Sequence, residues 1–371
     1  MSISQQDFTI GVEEEYQIVH PQTRQLRSRA QSILAKAQQT LGDQVTQELY
    51  LSQIEIGTSV CQSLQQVRAE LQRLRGQVIK AARQADSQLV AAGTHPFSHW
   101  QDQQLTPKER YIGLESDFQQ LTREQLIFGC HIHVGIPDQE LAIQVMNRVR
   151  PWLGTLLALA SNSPYWLGQD TGYTSFRTEI WGRWPTAGIP YPFDSRADYD
   201  RLIENLTATG IIADASKIYW DLRPSTHFET LEFRVTDVCL TIDEAVLVAG
   251  LVRALVRTCA LEVEDNVPMP VIRPEILQMA KWQAARYGLD QTLIDPLAGQ
   301  VIEAPLLIHQ FLRYVRPVLE AYNEWDEVAG LADQVIKGGT GAARQRMAYQ
   351  RAGKLEDVVD LLVHETALGT A

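Results

Sequence analysis

The sequence predicts an α+β fold in which helices pack on one face of a largely antiparallel sheet and leave the other face open and polar. Four short segments alternate polar and apolar residues, so each would form a strand with one apolar and one polar side. Long helical patterns alternate with these strands, and from about residue 274 the pattern is almost entirely helical. One-sided strands are typical of antiparallel or mixed sheets that carry helices on a single face.

Length and composition are those of an ordinary globular protein. The chain has 371 residues, of which 45% are hydrophobic and 21% are charged. No repeat, low-complexity tract or linker divides it, so we expect residues 1–371 to form a single domain whose C-terminal third, from about residue 274, is mostly helical. The formal charge of −12 disfavours a general nucleic-acid binder, which needs a basic surface to replace the counterions of the phosphates.

The cysteines and the N-terminus indicate a cytoplasmic protein. Four widely spaced cysteines form no C-x-x-C pair, so neither a disulfide framework nor a zinc knuckle is expected. The first residues lack the basic start and apolar run of a signal peptide. The uncharged stretch 151–169 contains Pro, Asn and Gly and predicts a buried helix and a turn, not a membrane span. A homodimer is the expected assembly, because symmetric association is common.

The segment FTIGVEEEYQIV (8–19) places three glutamates in a row inside a predicted strand. Alternation puts Glu13 and Glu15 on the polar side and Glu14 on the apolar side. Two carboxylates on one face repel unless a cation lies between them. Glu13 and Glu15 therefore indicate a bound cation, whereas Glu14 needs a partner, solvent at a sheet margin or a raised pKa.

Three further segments show the same two-sided pattern. On their polar sides they carry Gln53 and Glu55 in LYLSQIEIG, His131 and His133 in LIFGCHIHVGI, and Glu232, Arg234 and Thr236 in TLEFRVTD. Each pattern alone is compatible with a solvated face or a cross-strand ion pair. Together they predict that the four strands form one continuous polar face of the sheet, which we call the polar floor. Glu48 has the opposite parity to Glu55 in a regular strand, so its role stays open.

The predicted floor combines hard oxygen donors with imidazole and contains no cysteine. Such a donor set suits Mg²⁺ or Mn²⁺ better than Zn²⁺. Glu13 and Glu15 could each hold a different ion of a two-metal pair. The predicted metal ligands are Glu13, Glu15, Glu55, His131 and Glu232.

Arginines near these strands indicate phosphate chemistry. Divalent ions commonly bridge nucleotide phosphates, and phosphoryl transfer needs further cations around the equatorial oxygens. Arginine suits that role because its planar fork pairs bidentately with phosphate, although each arginine alone is equally compatible with a salt bridge. The candidates are Arg234, Arg177, Arg183, Arg223, Arg344 and Arg346. The last two lie in the glycine-rich segment KGGTGAARQR, which is more typical of a turn before a helix than of a phosphate-binding loop. His95, in GTHPF, could hang over the site or hold a loop together.

Taken in order, the motifs resemble a known family. They are G-V-E-x-E at 11–15, Q-I-E at 53–55, G-T-H-P-F at 93–97, C-H-I-H-V-G at 130–135, S-x-R from Ser175 with W-P-x-x-G-x-P downstream, and W-D-x-R-P followed by L-E-x-R. This set resembles the YbdK-type carboxylate-amine ligases, also called glutamate-cysteine ligase type 2, within the glutamine-synthetase-like enzymes. The resemblance runs from about Phe8 into the helical C-terminal third.

The resemblance implies a glutamine-synthetase-like fold with a curved, largely antiparallel sheet whose concave face holds ATP and two or more Mg²⁺ ions. It implies metal-ligand roles for the five residues named above, a nucleotide contact for His133 and a phosphate-stabilising role for Arg234. We therefore expect Arg234, Arg177 and Arg223 to be catalytic, His133, Arg183, Arg344 and Arg346 to bind the nucleotide, and His95 and Ser175 to contact the substrate.

The reaction that the resemblance implies joins small-molecule amino acids and amines. ATP converts the γ-carboxylate of an amino acid such as glutamate to an acyl phosphate, and an amine then displaces phosphate to form an amide. With cysteine as the amine, the product is γ-glutamylcysteine. Two alternatives stay open: a zinc-dependent hydrolase in which His131, His133 and a glutamate activate water, and a nucleotide-binding regulator without turnover.

Overall fold

The computed structural model describes residue 4 and residues 7–370. These residues form eleven strands: β1 (Ile10–Val19), β2 (Val45–Gln47), β3 (Gln53–Gly57), β4 (Gln88–Val90), β5 (Gly129–Gly135), β6 (Tyr165–Trp166), β7 (Gln169–Asp170), β8 (Leu222–Pro224), β9 (Thr230–Asp237), β10 (Thr292–Asp295) and β11 (Gln300–Glu303). Seven of the strands make one sheet, and β6 with β7 and β10 with β11 make two small hairpins.

Fourteen α-helices accompany the strands in the described residues. They are α1 (Ala30–Leu41), α2 (Leu64–Gln84), α3 (Glu109–Phe118), α4 (Gln120–Arg123), α5 (Gln139–Val149), α6 (Leu153–Leu159), α7 (Phe176–Trp181), α8 (Arg196–Ala208), α9 (Ile242–Glu264), α10 (Pro274–Tyr287), α11 (Ala304–Ala321), α12 (Trp325–Gly338), α13 (Gly341–Ala352) and α14 (Leu355–Thr366). Within this part of the chain, no helix combines the length and the apolar character needed to cross a membrane.

The main sheet has the strand order β2-β3-β1-β5-β9-β8, and β4 pairs with the C-terminal part of β1. Every pair in this sheet is antiparallel. The four strands predicted from alternation are β1, β3, β5 and β9, and all four lie in the interior of the sheet order. The polar residues of these strands therefore meet near the middle of one face.

Helix α9 forms the centre of the layer on the apolar face. It is buried on nearly all sides from Ile242 to Ala260 and contacts β1 and β5 on one side and α11 and α12 on the other. A helix that is apolar all round is stable only in the interior of a protein. Thr241 and Glu244 form the capping box that satisfies its first backbone N–H groups.

Two elements differ from the sequence-based expectation. Asp138, just after Pro137, can cap a helix that runs toward Leu159, but this helix is interrupted, because Pro151 lacks a backbone N–H and the chain passes through a 3₁₀ turn between α5 and α6. Asp138 does cap α5 and accepts a hydrogen bond from the N–H of Leu141 at 3.0 Å. In the C-terminal third, the β10–β11 hairpin interrupts the expected run of helices.

Candidate active site

Strand register places the predicted carboxylates and imidazoles side by side on the polar face. Glu15 lies opposite Glu55 across β1 and β3, and Glu13 lies opposite His131 across β1 and β5. Directly opposed residues of an antiparallel pair project to the same side of the sheet. The alternation predicted for β1 is therefore confirmed, and Glu14 lies on the opposite side with its side chain fully buried.

Glu232 joins β9 to both of its neighbours. It lies opposite His133 on β5 and opposite Arg223 on β8. The Arg223 Nε donates to Glu232 Oε2 at 2.8 Å, and Arg234 also forms an ion pair with Glu232. Burial raises the pKa of Glu232, but the charges of Arg234 and Arg223 outweigh it and hold this pKa well below its usual range. Glu232 is therefore an ionised carboxylate within the floor.

A β-bulge in β9 changes which residues reach the polar face. Near its middle, two residues of β9 oppose one residue of β5. Thr236 consequently lies opposite Cys130 on the apolar side, and its hydroxyl donates to the Cys130 carbonyl at 2.8 Å. Asp237, opposite Gly129, takes the polar side instead. The prediction that Thr236 shares a face with Glu232 is wrong, because alternation fails at a bulge.

Asp237 anchors the segment that leads into α7. Its carboxylate accepts hydrogen bonds from the N–H of Asn162 at 2.7 Å, from Ser163 Oγ at 2.7 Å and from Ser175 Oγ at 2.8 Å. Burial raises its pKa although Arg177 lies nearby. Ser175 is fully buried in this network and does not line the cavity described next, so its geometry supports anchoring of α7 and not the predicted substrate contact.

The polar face opens into a cavity of about 450 Å³, a size that suits a small-molecule ligand. Many of the predicted site residues line this active-site cavity. They are Glu13, Glu15, Glu55, His131, His133, Arg177, Arg223, Glu232 and Arg234.

Two groups of side chains in the active-site cavity have the spacing of a metal site. Glu13, Glu55 and His131 form one, and Glu13, His133 and Glu232 form the other; in each group the potential ligand atoms lie within 4.8 Å of one another. Glu13 belongs to both. This differs from the expectation that Glu13 and Glu15 each hold a different ion, because His133 enters the second group and Glu15 enters neither. Instead, Glu15 accepts a hydrogen bond from the N–H of Gly129 at 2.6 Å.

The protonation states of Glu13 and His131 suit metal coordination. Glu13 Oε2 lies 3.1 Å from His131 Nδ1, and Glu13 Oε1 lies 3.4 Å from His133 Nε2. Burial raises the pKa of Glu13, but its hydrogen bonds to the two imidazoles and their charges outweigh burial and lower it well below its usual value. Burial, together with the charge of Arg234, lowers the pKa of His131 to about 4. Glu13 and His131 therefore form the ionised carboxylate and neutral imidazole that a metal ion requires. Burial lowers the pKa of His133, but its hydrogen bond to Glu13 and the charges of Glu13 and Glu232 outweigh burial and raise it, so a metal in the second group would displace a proton from this imidazole.

Uncompensated negative charge gathers where β1 meets β3. Burial and repulsion by Glu48 raise the pKa of Glu15 to about 7. Burial and repulsion by Glu48, Glu13 and Glu15 raise the pKa of Glu55 well above its usual value. Glu48 lines the cavity although parity placed it on the other face, because β2 ends at Gln47 and alternation does not continue through the turn that follows. Buried carboxylates that repel one another fit a divalent cation.

Positive charge comes from the wall that contains α7. Arg177 is buried, and its Nη2 donates to the Arg234 carbonyl at 3.3 Å. The guanidinium carbons of Arg177 and Arg234 lie 5.6 Å and 5.2 Å from the ring centroid of Trp181. The Nε of each arginine has no hydrogen-bond partner among the described residues. Both arginines thus retain donors for an anionic ligand.

Several large side chains of the cavity wall were not predicted from the sequence. Five aromatic residues and two cations line it without having been predicted: Tyr111, Trp181, Trp184, Tyr219, Phe228, Lys108 and Arg110. Trp181 and Trp184 could have been suspected, because they flank the predicted Arg183 in the sequence. The other five belong to loops or helix ends, where strand alternation carries no information.

His95 is fully buried outside the active-site cavity. Its Nδ1 accepts hydrogen bonds from the N–H groups of Phe97 at 3.2 Å and Ser98 at 2.9 Å, so its Nε2 donates to the Arg24 carbonyl at 2.9 Å. Burial lowers its pKa to about 3. With both ring nitrogens bonded to backbone, His95 holds a loop together, and its geometry does not support the predicted substrate contact.

Three arginines expected at the nucleotide also lie outside the active-site cavity. Each already has a carboxylate partner: Arg183 pairs with Glu124, Arg344 with Glu244 and Glu365, and Arg346 with Asp170. The glycine-rich segment is a turn in which Thr340 caps α13, as its composition indicated. Long-range ion pairs therefore account for these arginines better than phosphate binding does.

The chain is similar to curated proteins over nearly its whole length. A protein of Rhodopirellula baltica named "Putative glutamate--cysteine ligase 2" is 44% identical over 363 residues, which are 96% of this chain and 96% of that protein. A protein of Roseiflexus castenholzii with the same name is 43% identical over 362 residues, covering 98% of this chain and 95% of that protein.

Solved structures share the fold at low sequence identity. The glutamate–cysteine ligase of Francisella tularensis, in complex with AMP, matches with a TM-score of 0.71 and 14% identity over 98% of this chain and 89% of that chain. A bifunctional glutathione synthetase from Pasteurella multocida matches with a TM-score of 0.69 and 15% identity over 98% of this chain and 53% of that chain. These matches confirm the predicted fold class.

The family described as Glutamate-cysteine ligase family 2 matches residues 9–361. That range contains every strand of the main sheet, from the start of β1 at Ile10 to the end of β9 at Asp237. It also contains all the residues of the two candidate metal groups. The chain belongs to glutamate–cysteine ligase family 2.

Proposed function

We propose that this protein is an ATP-dependent carboxylate–amine ligase with glutamate and cysteine as its default substrates. The observation that carries the proposal is the pair of carboxylate–imidazole groups that share Glu13 and face arginines within one cavity. The ligase names of the relatives and of the solved structures support the same reaction class.

The donor set supports Mg²⁺ or Mn²⁺ as the ions. The candidate ligands are Glu13, Glu55, His131, His133 and Glu232, with Glu15 beside them. Carboxylate oxygens dominate this set, which is typical of sites for hard cations. When bound, such ions neutralise charge between the carboxylates and the phosphates of ATP.

In this reaction a carboxylate oxygen of the substrate attacks the γ-phosphorus of ATP, and the bond to the leaving ADP breaks. The amine nitrogen then attacks the acyl carbon, phosphate leaves, and the nitrogen loses a proton. We assign Arg177 and Arg234 to the phosphoryl oxygens, because both line the cavity and each has an Nε without a hydrogen-bond partner among the described residues. No protein nucleophile is required, so the chain contributes positioning, charge neutralisation and exclusion of water.

Arg223 fits a positioning role better than the catalytic role predicted for it. Its Nε donates to Glu232, and its Nη1 donates to the carbonyls of Ile218 at 2.7 Å and Ser216 at 3.1 Å. These bonds use most of its donors, so we propose that Arg223 fixes the orientation of the Glu232 carboxylate.

The decisive experiment incubates the protein with ATP, Mg²⁺ and panels of amino acids and amines. We expect ADP release that requires both an acid and an amine, together with an amide product identified by its mass. ATP binding without turnover on any combination would support the regulator instead. Stoichiometric zinc without ATP binding would support the hydrolase, which is disfavoured because His131 and His133 belong to different candidate groups.

A further inference from the structure

A second cavity, of about 410 Å³, lies behind α7 as seen from the active-site cavity. Arg177 and Trp181 are one helical turn apart on α7 and line the active-site cavity. Glu179 lies on the opposite face of this helix and lines the second cavity, together with the start of α10 and the loop 187–191. The helix thus separates two ligand-sized spaces.

The second cavity contains a buried guanidinium without a carboxylate partner. Arg150 is 4% exposed, and its Nε and Nη1 donate to the carbonyls of Asn147 at 3.0 Å and Pro190 at 3.4 Å. Within the described residues, Arg150 forms no ion pair, and burial lowers its pKa. A buried cation that carbonyl groups only partly satisfy is costly unless an anion completes its shell.

The same cavity contains an unpaired carboxylate. Glu179 is partly buried and, among the residues that the structure describes, makes no side-chain hydrogen bond and no ion pair. Burial raises its pKa even though Lys281 and Arg183 lie near it. Both cations already form ion pairs with other carboxylates, because Lys281 pairs with Asp221 and Arg183 pairs with Glu124. Glu179 therefore has acceptor oxygens for a cationic group of a ligand.

Lys281 and Arg183 also line this cavity, each with its carboxylate partner, and Thr178 and Gln278 add polar groups, but most of the remaining wall is apolar. Ile189, Pro190, Leu277 and Trp282 line it, and Tyr191, which is 69% exposed, lies at its edge. Convergence of one unpaired cation, one unpaired anion and an apolar surface matches a zwitterion with an apolar side chain. We propose that this cavity binds a free α-amino acid, with its carboxylate on Arg150, its ammonium group on Glu179 and its side chain against Leu277 and Trp282.

The site would be separate from the substrate site of the ligase, and the proposal does not depend on the ligase reaction. Equilibrium dialysis with a panel of labelled α-amino acids, without ATP, tests it directly. In Gln278→Trp an exposed residue of α10 is enlarged so that it fills the cavity; the adjacent Met279→Trp, which is also exposed but does not line the cavity, is the matched control.

We expect an amino acid with an apolar side chain to bind the wild-type protein. Its affinity should fall at least about tenfold in Gln278→Trp and in Arg150→Met and stay within about twofold in Met279→Trp. The corresponding amine without a carboxylate should bind at least about tenfold more weakly than the amino acid.

Equal affinity in the wild type and Gln278→Trp would place the ligand in the active-site cavity and overturn the proposal. Absence of binding at millimolar concentration for every member of the panel would also overturn it. An amine that binds as tightly as its amino acid would remove the role assigned to Arg150. None of these results affects the ligase proposal, which is judged by amine-dependent ADP release.

Discussion

At the scale of single residues, Gly129 leaves the space that Arg177 occupies. A Cβ atom at this position would lie 2.5 Å from Arg177 Nη2 and 3.2 Å from His131 Nε2. Because the closest atom ends a long side chain, we expect Gly129→Ala to fold, to displace the guanidinium and to lower kcat by about 10- to 100-fold. ADP-release kinetics and thermal melting measure the two effects separately.

Gly330→Ala is the control for this substitution, because no atom lies within 4 Å of its new Cβ and the residue lies inside α12. It should keep the wild-type rate and gain up to about 1 kcal/mol of stability. A Gly129→Ala enzyme with the wild-type kcat would contradict the placement of Arg177 in the reaction.

The buried His95 should make the protein sensitive to acid. Its pKa is about 3 in the folded protein and about 6.5 in an unfolded chain. Between these values only the unfolded state binds the proton. The free energy of unfolding should therefore fall as pH drops below about 6.5, by up to about 1.4 kcal/mol per pH unit for this one group.

Urea unfolding at pH 7, 6 and 5 measures this dependence. His95→Gln should lower the stability at pH 7, because three hydrogen bonds to backbone groups are perturbed, and should make the pH dependence shallower by one proton. His99→Gln, at an exposed position, is the control and should keep the wild-type slope. Equal slopes for His95→Gln and the wild type would contradict the assignment.

At the scale of elements, a buried ion pair joins β1 to α2 and to the segment between β9 and α9. Arg75 Nε donates to Glu14 Oε2 at 2.9 Å, and its Nη1 and Nη2 donate to the carbonyls of Leu240 at 3.0 Å and Cys239 at 2.9 Å. The Tyr16 hydroxyl also bonds to Glu14. Arg75 is thus the partner that Glu14 requires on the apolar face, and the pair fixes the strand that presents Glu13.

Removing one member of this pair should be severe. Arg75→Met leaves Glu14 buried without a counter-charge and should cost about 3–5 kcal/mol of unfolding free energy. The double variant Glu14→Leu with Arg75→Met should recover most of that loss, because no charge stays buried. Arg73→Met, which breaks an exposed pair with Glu70 on the same helix, should cost less than about 1 kcal/mol. If urea denaturation gave the same loss of unfolding free energy for Arg75→Met and Arg73→Met, the stabilising role of the Arg75–Glu14 pair would be refuted.

The parts of the site that could be predicted from sequence follow a local rule. Alternation along β1 separates Glu13 and Glu15 from Glu14 correctly, and the order of the motifs indicates the fold. The features that could not be predicted depend on departures from strand alternation or on contacts between residues that are far apart in the sequence. The bulge in β9 exchanges Thr236 for Asp237, and Arg344 finds its carboxylates on α9 and α14, far from it in sequence.

At the scale of the whole molecule, the sheet gathers Glu13, Glu15, Glu48 and Glu55 into one cavity of a chain whose formal charge is already −12. Repulsion between these carboxylates lowers the stability of the folded protein unless cations are bound. We therefore expect metal-free protein to melt at a lower temperature and Mg²⁺ to stabilise it by about 2.7 kcal/mol at a hundredfold excess over its Kd. NaCl at equal ionic strength controls for general screening.

Glu55→Gln tests whether this repulsion is the cause. Repulsion and burial disfavour the charged form of Glu55 and raise its pKa, so a neutral amide should raise the Tm of the metal-free protein. The same change removes a ligand atom from one candidate group, so the Mg²⁺-dependent rise in Tm should shrink. Glu303→Gln, at an exposed position outside the cavity, should change neither quantity. A Glu55→Gln protein that is less stable without metal, yet gains the full increment from Mg²⁺, would show that Glu55 supports the fold and does not hold an ion.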